Sequence, residues 1–223
     1  MGKILEQRWQ DSAVAKGYDA ERFAGLVGRW FHRRQCRALS RLLQQTAPRE
    51  VADVPCGTGR MLGVLRASGA RVLAVDVSPA MQAQARDRTE CDEGVRFVVG
   101  DARRLPLDDG AVDAAISVRF FMHLDAGGRQ DVLRELARVT RRWVIVECGL
   151  DSPWQRVRIA VRSLGLRLIG RRKSYPRYVA RAQLAEEASS AGMELRRVAW
   201  TLRGLSASAF LLMERRSLDE GED

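Results

Sequence analysis

The ten residues Val51 to Arg60, V-A-D-V-P-C-G-T-G-R, constrain this chain more than any other stretch. An apolar run carrying one acid, Asp53, stops at a Pro-Cys-Gly-Thr-Gly turn, and a helical stretch from Met61 to Ala67 follows at once. Gly57 and Gly59 lack a Cβ, so the backbone can bend sharply there and a ligand can lie against it. A helix that starts at such a turn points its free N–H groups and its positive dipole end at the same spot. Strand, glycine turn and helix in this order predict a nucleotide-type cofactor cradle at the carboxyl end of a central parallel strand. Taken alone, the stretch leaves a plain strand-to-helix turn open.

From Glu50 onward, apolar runs alternate with helical stretches. Strands are predicted near 50–55, 71–76, 95–99, 112–118 and 142–148, with helices near 59–68, 79–89 and 126–138 between them. Runs such as Val72-Leu73-Ala74-Val75 and Val144-Ile145-Val146 are continuous rather than alternating, as in strands buried on both faces. The pattern predicts an α/β, doubly wound, mostly parallel sheet. A further helix is expected at about 180–191, closed by Gly192. Two last strands, Glu194–Leu202 and Ala207–Met213, are separated by only Arg203-Gly204-Leu205-Ser206, which favours an antiparallel hairpin. Ahead of the sheet, Asp19 can cap a helix from about Ala20 to Gln45, ended by Pro48.

At 223 residues the chain suits one domain. We expect boundaries at 1–216, divided into a helical N-terminal cap (1–48), a core (50–150), a basic insert (151–178) and a C-terminal helix and hairpin (179–216), with a disordered tail at 217–223. No apolar run approaches the roughly 18 residues needed to span a bilayer, and Met1 to Gln10 has no signal-type apolar region. Cys36, Cys56, Cys91 and Cys148 form no C-x-x-C pair, so reduced thiols and a cytoplasmic setting are expected. The lack of Cys pairs and the presence of only two histidines argue against a metal centre. The net charge of +10 is uneven: from Trp154 to Arg181 there are nine basic residues and no acidic ones. Such clustering predicts an anionic partner.

The chemistry-bearing residues fall at strand ends. Asp76 closes the second strand, about 20 residues after the glycines, where a carboxylate can accept from ribose hydroxyls. Asp101 follows the third strand, where it can accept from an exocyclic amine; a solvated strand end or helix cap is the plainer role for either acid. The spacing Gly57-x-Gly59-x-x-x-Gly63 loosely mimics a nicotinamide-dinucleotide fingerprint, but Asp53 before the turn and Pro55-Cys56 within it do not fit.

Four segments in order, V-A-D-V-P-C-G-T-G-R, V-L-A-V-D-V-S-P-A-M, G-D-A-R-R-L-P-L and V-D-A-A-I-S-V-R-F-F-M-H-L, carry a resemblance. The chain resembles the class I S-adenosylmethionine-dependent methyltransferases, most of all the small-molecule, ubiquinone/menaquinone-type members. The resemblance covers about residues 50–150 closely and 180–215 more loosely. It implies a Rossmann-like seven-stranded sheet with an antiparallel last strand, S-adenosyl-L-methionine as cofactor, and methyl transfer by in-line displacement. It also implies site residues. Asp53, Gly57 and Gly59 would hold the methionine part and Asp76 the ribose hydroxyls, with Pro55, Cys56 and Val77 also among the cofactor-binding residues. Met81, Asp101 and Ala102 lie at the adenine, and the Val118 carbonyl at the amino-acid end. Pro55 departs from the glycine usual there and offers no N–H.

Beyond the cofactor, Arg119, Phe120 and His123 follow the fourth strand at the expected mouth of the site. His123 is a candidate general base and Arg119 a candidate holder of an anionic acceptor group; a structural His and an ion-paired Arg are the alternatives. Glu147 is a second base candidate, and Tyr18 and Arg22 can close over the cofactor. In the insert, Trp154, Val157, Val161, Leu164 and Leu168 share one helical face flanked by arginines, which predicts a lid or a peripheral contact with an anionic membrane. Tyr175 and Tyr178 are candidate acceptor-pocket residues. The expected partner is a small-molecule acceptor, anionic or lipid-linked, and the sequence sets no oligomeric state. A nucleic-acid methyltransferase is the alternative, weakened because Val118-Arg119-Phe120-Phe121 stands where an N/D-P-P-Y-type tetrapeptide would be. A non-catalytic cofactor-fold module is the third reading.

Overall fold

The computed structural model describes residues 25–89, 92–151, 156–157, 178–202 and 206–216. Tyr18, Arg22, Cys91, Trp154, Tyr175, nearly all of the basic insert and the tail from 217 lie outside them. Among the described residues the elements run α1 (Leu26–Thr46), β1 (Glu50–Asp53), α2 (Leu62–Ala67), β2 (Arg71–Asp76), α3 (Pro79–Thr89), β3 (Val95–Val99), β4 (Val112–Val118), a 3-10 turn (Phe121–His123), α4 (Ala126–Val139), β5 (Thr140–Gly149), α5 (Arg181–Ser190), β6 (Met193–Trp200) and β7 (Ser208–Arg215). The seven strands form one sheet in the order β3-β2-β1-β4-β5-β7-β6. The first five strands pair in parallel, and β7 pairs antiparallel with both β5 and β6. The sheet is therefore the expected Rossmann-like one, with its closing hairpin.

Burial on both faces accounts for the continuous apolar runs. Val51, Ile116, Ile145 and Phe210 pack on the face covered by Leu39, Leu42 and Leu43 of α1 and Leu62 and Leu65 of α2. Their sequence neighbours Ala52, Ala115, Val146 and Leu211 pack on the opposite face, under Val132, Leu133 and Leu136 of α4 and Leu184 of α5. Adjacent residues of a strand point to opposite faces, so each apolar run feeds two cores at once.

Several element ends differ from expectation by a few residues. Helix α2 begins at Leu62 rather than near 59, because Gly57 and Gly59 both hold positive φ (53° and 76°) and delay the helical backbone. Strand β1 stops at Asp53, although pairing continues past it: the Val54 N–H donates to Ile116 O and the Cys56 N–H to Val75 O. Pro55, between them, has no N–H to donate, and the Val54–Pro55 peptide is cis. The last two strands are displaced by one or two residues, to 193–200 and 208–215.

The strand order reverses between β1 and β4. Ligands of open parallel sheets bind outside the carboxyl ends of strands at such a switch point.

Candidate active site

A cavity opens at that point, over the carboxyl ends of β1, β2 and β4. Its wall is built first from Asp53, Pro55, Cys56 and Gly57 of the turn and from Asp76 and Val77 after β2. Met81, Asp101 and Ala102 extend it along α3 and the β3 end, and Val118, Arg119, Phe120 and His123 close it after β4.

Two carboxylates dominate the floor. Asp53 is 2% exposed, and its Oδ2 has no hydrogen-bond partner. Burial, reinforced by the charge of Asp76, pushes its pKa up to about 8. Asp76 is held more firmly. Its Oδ2 accepts from the Gly57 N–H and its Oδ1 from the Ser78 N–H, both at 2.8 Å. Burial raises its pKa, and these backbone donors oppose the rise. Each carboxylate oxygen can accept more than one hydrogen bond, so Asp76 keeps capacity for a ligand diol. Burial pushes the Cys56 thiol up, and the charges of Asp53 and Asp76 push it further, which leaves a poor nucleophile.

The scaffold behind Asp76 follows from local sequence. Ser78 caps α3 by accepting from the Met81 N–H at 3.3 Å, and Pro79 takes the first helical position. From the next turn, the buried Gln82 amide donates to the carbonyls of Asp76 (3.1 Å) and Val98 (2.6 Å). It thus ties together the carboxyl ends of β2 and β3.

The opposite rim is set by a polar chain. Arg119 holds a left-handed backbone, φ 59°, and its N–H donates to Glu147 Oε2 at 2.9 Å. The other Glu147 oxygen accepts from Ser208 Oγ and from Gln35 Nε2. Gln35 Oε1 in turn accepts from Arg60 at 3.3 Å, and Arg60 also contacts His32 Nδ1 at 2.9 Å. Arg60 and Arg119 both line the cavity. One network from α1, β5 and β7 therefore fixes the backbone at Arg119 and holds the guanidinium of Arg60.

Residues 51–142 match the family described as "Methyltransferase domain". The chain is 30% identical over 165 residues to a malonyl-[acyl-carrier protein] O-methyltransferase of Pectobacterium atrosepticum, covering 69% of this chain and 62% of that protein. It is 36% identical over 117 residues to a demethylmenaquinone methyltransferase of Clavibacter sepedonicus, covering 52% of this chain and 47% of that protein. The core of the chain is a class I S-adenosylmethionine-dependent methyltransferase domain. The chain spans less than two thirds of the length of either relative. Among solved structures, the magnesium protoporphyrin IX methyltransferase of Synechocystis with bound SAH shares the fold, with a TM-score of 0.77 at 17% identity, covering 97% of this chain and all of that one.

In this methyltransferase domain, most residues singled out from sequence converge on the cavity: Asp53, Pro55, Cys56, Gly57, Asp76, Val77, Met81, Asp101, Ala102, Val118, Arg119, Phe120 and His123 all line it. Three do not behave as expected. Gly59 is not a lining residue; a Cβ there would stand 2.9 Å from Ala85 Cβ, so the glycine makes room for α3 rather than for a ligand. Tyr178 is half-buried beside Val179, which bridges Leu150, away from the cavity. Glu147 is 1% exposed and lies behind Arg119 instead of facing an acceptor. Phe121 belongs to the core, while Phe120 forms wall. Sequence reasoning missed Thr58, Arg60, Arg103 and Leu124 in the lining, and Gln35 and Gln82 behind it. The two glutamines left one trace, a polar residue on an otherwise apolar helix face.

Proposed function

We propose that the protein transfers a methyl group from S-adenosyl-L-methionine to a small-molecule acceptor whose anionic group is held at the arginine-bearing rim. One observation carries this reading: the buried, unpartnered Asp53 Oδ2 and the backbone-anchored Asp76 share one cavity wall. An orphaned buried carboxylate oxygen suits an ammonium group. A carboxylate fixed by two N–H donors suits a pair of ribose hydroxyls. The residues present thus fit the cofactor, with Asp53 and Gly57 at its amino-acid end, Asp76 and Val77 at the ribose, and Met81, Asp101 and Ala102 at the base.

When bound, the cofactor supplies an electrophilic sulfonium methyl, so proximity and orientation are the protein's main contribution. Arg119 engages an anionic acceptor group, because a guanidinium donates two parallel hydrogen bonds to a carboxylate or phosphate. Arg60, on the same rim, adds positive potential. Phe120 and Leu124 shield the transfer from water. His123 takes the proton of a hydroxyl or amine acceptor. The names of the two relatives, a demethylmenaquinone and a malonyl-[acyl-carrier protein] methyltransferase, support acceptors of the quinone or acyl class.

Calorimetry with S-adenosylhomocysteine tests the reading. Asp76→Ala should weaken binding by roughly 10- to 150-fold, the equivalent of about 1.5–3 kcal/mol for a lost charged acceptor. Unchanged affinity in a folded variant would refute it.

A further inference from the structure

Helix α1 presents two opposite faces. Gln35, Ala38, Leu39, Leu42 and Leu43 are buried against the sheet. At 3.6 residues per turn, Leu26, Val27, Trp30, Arg33, Arg37 and Arg41 all fall within an arc of about 120° on the other side. That outer face is unusual in what it exposes. Leu26 and Val27 are each 79% exposed and Trp30 45%. Arg34 lies over the Trp30 ring, 5.4 Å from its centroid. The helix has five arginines and no acid.

The arginines of this face differ from those elsewhere on the surface. Arg66, Arg71, Arg138, Arg141 and Arg142 each hold a carboxylate within 2.9 Å. Among the described residues, no carboxylate forms an ion pair with Arg33, Arg37 or Arg41. Their i, i+4, i+8 spacing sets like charges side by side, which destabilises an isolated helix. Neither folding nor local ion pairing accounts for them.

We infer that the outer face of α1 docks on an anionic lipid surface, with Leu26, Val27 and Trp30 entering the headgroup boundary and Arg33, Arg37 and Arg41 meeting lipid phosphates. Exposed apolar side chains and a basic, acid-free stripe on one helical face are what such a surface recognises. An acidic protein surface would complement the stripe but would leave two nearly fully exposed aliphatic side chains without a role. His32, which contacts Arg60 of the cavity rim at 2.9 Å, falls about 200° around the helix from Trp30, so the docking face and the cavity lie on opposite sides of α1. The inference goes beyond the proposed methyl transfer and does not depend on which acceptor is used.

The test is flotation of the full chain with vesicles of pure phosphatidylcholine and with vesicles containing phosphatidylglycerol, at low and high salt. Binding is expected to the anionic vesicles only, and to fall as salt rises. At about fivefold per basic residue near an anionic surface, replacing Arg33, Arg37 and Arg41 together by Gln should weaken binding on the order of 100-fold. Trp30→Ala should weaken it separately. Reversal of Arg181, an exposed residue on α5, should change little. S-adenosylhomocysteine affinity should be the same in all variants, which shows that they are folded and keeps this test apart from that of the cofactor site. No binding to anionic vesicles, or binding that survives the triple replacement, would overturn the inference; the second outcome would assign the contact to other basic residues.

Discussion

With the cofactor's amine placed at Asp53, as proposed above, cofactor binding should be tied to a proton. With its pKa pushed up to about 8 by burial and by Asp76, the carboxyl group of the cofactor-free protein is mostly neutral at pH 7. The fraction protonated there is about 0.9, from one pH unit of separation. A ligand ammonium beside Oδ2 favours the charged form and pulls the pKa back down. S-adenosylhomocysteine binding at pH 7 should therefore release about 0.9 proton, at a cost of about 1.4 kcal/mol relative to a pre-ionised site. Affinity should rise roughly tenfold from pH 6 to pH 7 as that cost shrinks. Calorimetry at pH 7 in buffers of different ionisation enthalpy counts the protons directly. Asp53→Asn should bind more weakly, release no proton and show no such pH dependence. The same group sets a stability trend. A raised folded pKa means that the folded chain holds more protons than the unfolded one between about pH 4 and 8. The cofactor-free wild type should thus lose stability relative to Asp53→Asn across that window, and the gap should level off above pH 8. Zero proton release, with equal affinity at pH 6 and 7, would refute the placement of an ammonium at Asp53.

Two further outcomes are expected. Gly59→Ala would force a Cβ to 2.9 Å from Ala85 Cβ and 3.0 Å from both Ala85 Cα and Leu62 Cδ1, at φ 76°, so urea denaturation should show a loss of roughly 2–4 kcal/mol; Gly57→Ala meets nothing within 4 Å and should cost only about 1–2 kcal/mol of backbone strain, with its main effect on S-adenosylhomocysteine affinity. Arg129 and Glu187 form a buried ion pair joining α4 to α5, with an Nη2–Oε1 distance of 2.6 Å and side chains 5% and 3% exposed; Arg129→Met should cost about 3–5 kcal/mol by stranding the Glu187 charge, whereas Arg129→Met combined with Glu187→Leu should recover most of that loss in the same assay.

Much of the fold was legible because its signals are local. The runs Val72–Val75 and Val144–Val146 announce strands covered on both sides, and the four-residue gap before the last strand announces a hairpin. The cavity wall was legible for the same reason: Asp53, Gly57, Asp76 and Asp101 each stand at the end of a strand or just after it. The rim was not. Gln35 reaches Glu147 across 112 residues, Ser208 reaches it across 61, and Arg119 across 28. No window of sequence holds that arrangement, so Glu147 looked like a base at a strand end, when its partners make it an anchor. Gly59 was misread for a similar reason, since Ala85, which it accommodates, lies in a different helix.

The rim network also bears on how the site is assembled. Arg119 follows β4 in a left-handed conformation that costs a non-glycine residue on the order of 1–3 kcal/mol. Its N–H is held by a carboxylate from β5, and that carboxylate is in turn held by α1 through Gln35 and by β7 through Ser208. The conformation at the acceptor side is therefore stabilised only when helix, parallel strands and closing hairpin are all in place. Arg60 joins the same chain through its guanidinium contact with Gln35, so one set of hydrogen bonds fixes the backbone at Arg119 and the head group of Arg60. A buried carboxylate with several partners, as Glu147 is, favours one arrangement over its neighbours, because each broken contact leaves a polar atom without solvent. A rim built this way can hold two cations beside a cavity floor that carries two acids. The cavity thus has an acidic end suited to the cofactor's amine and diol, and a basic end suited to an anionic acceptor, with α1 as the element common to the basic end and the exposed docking face.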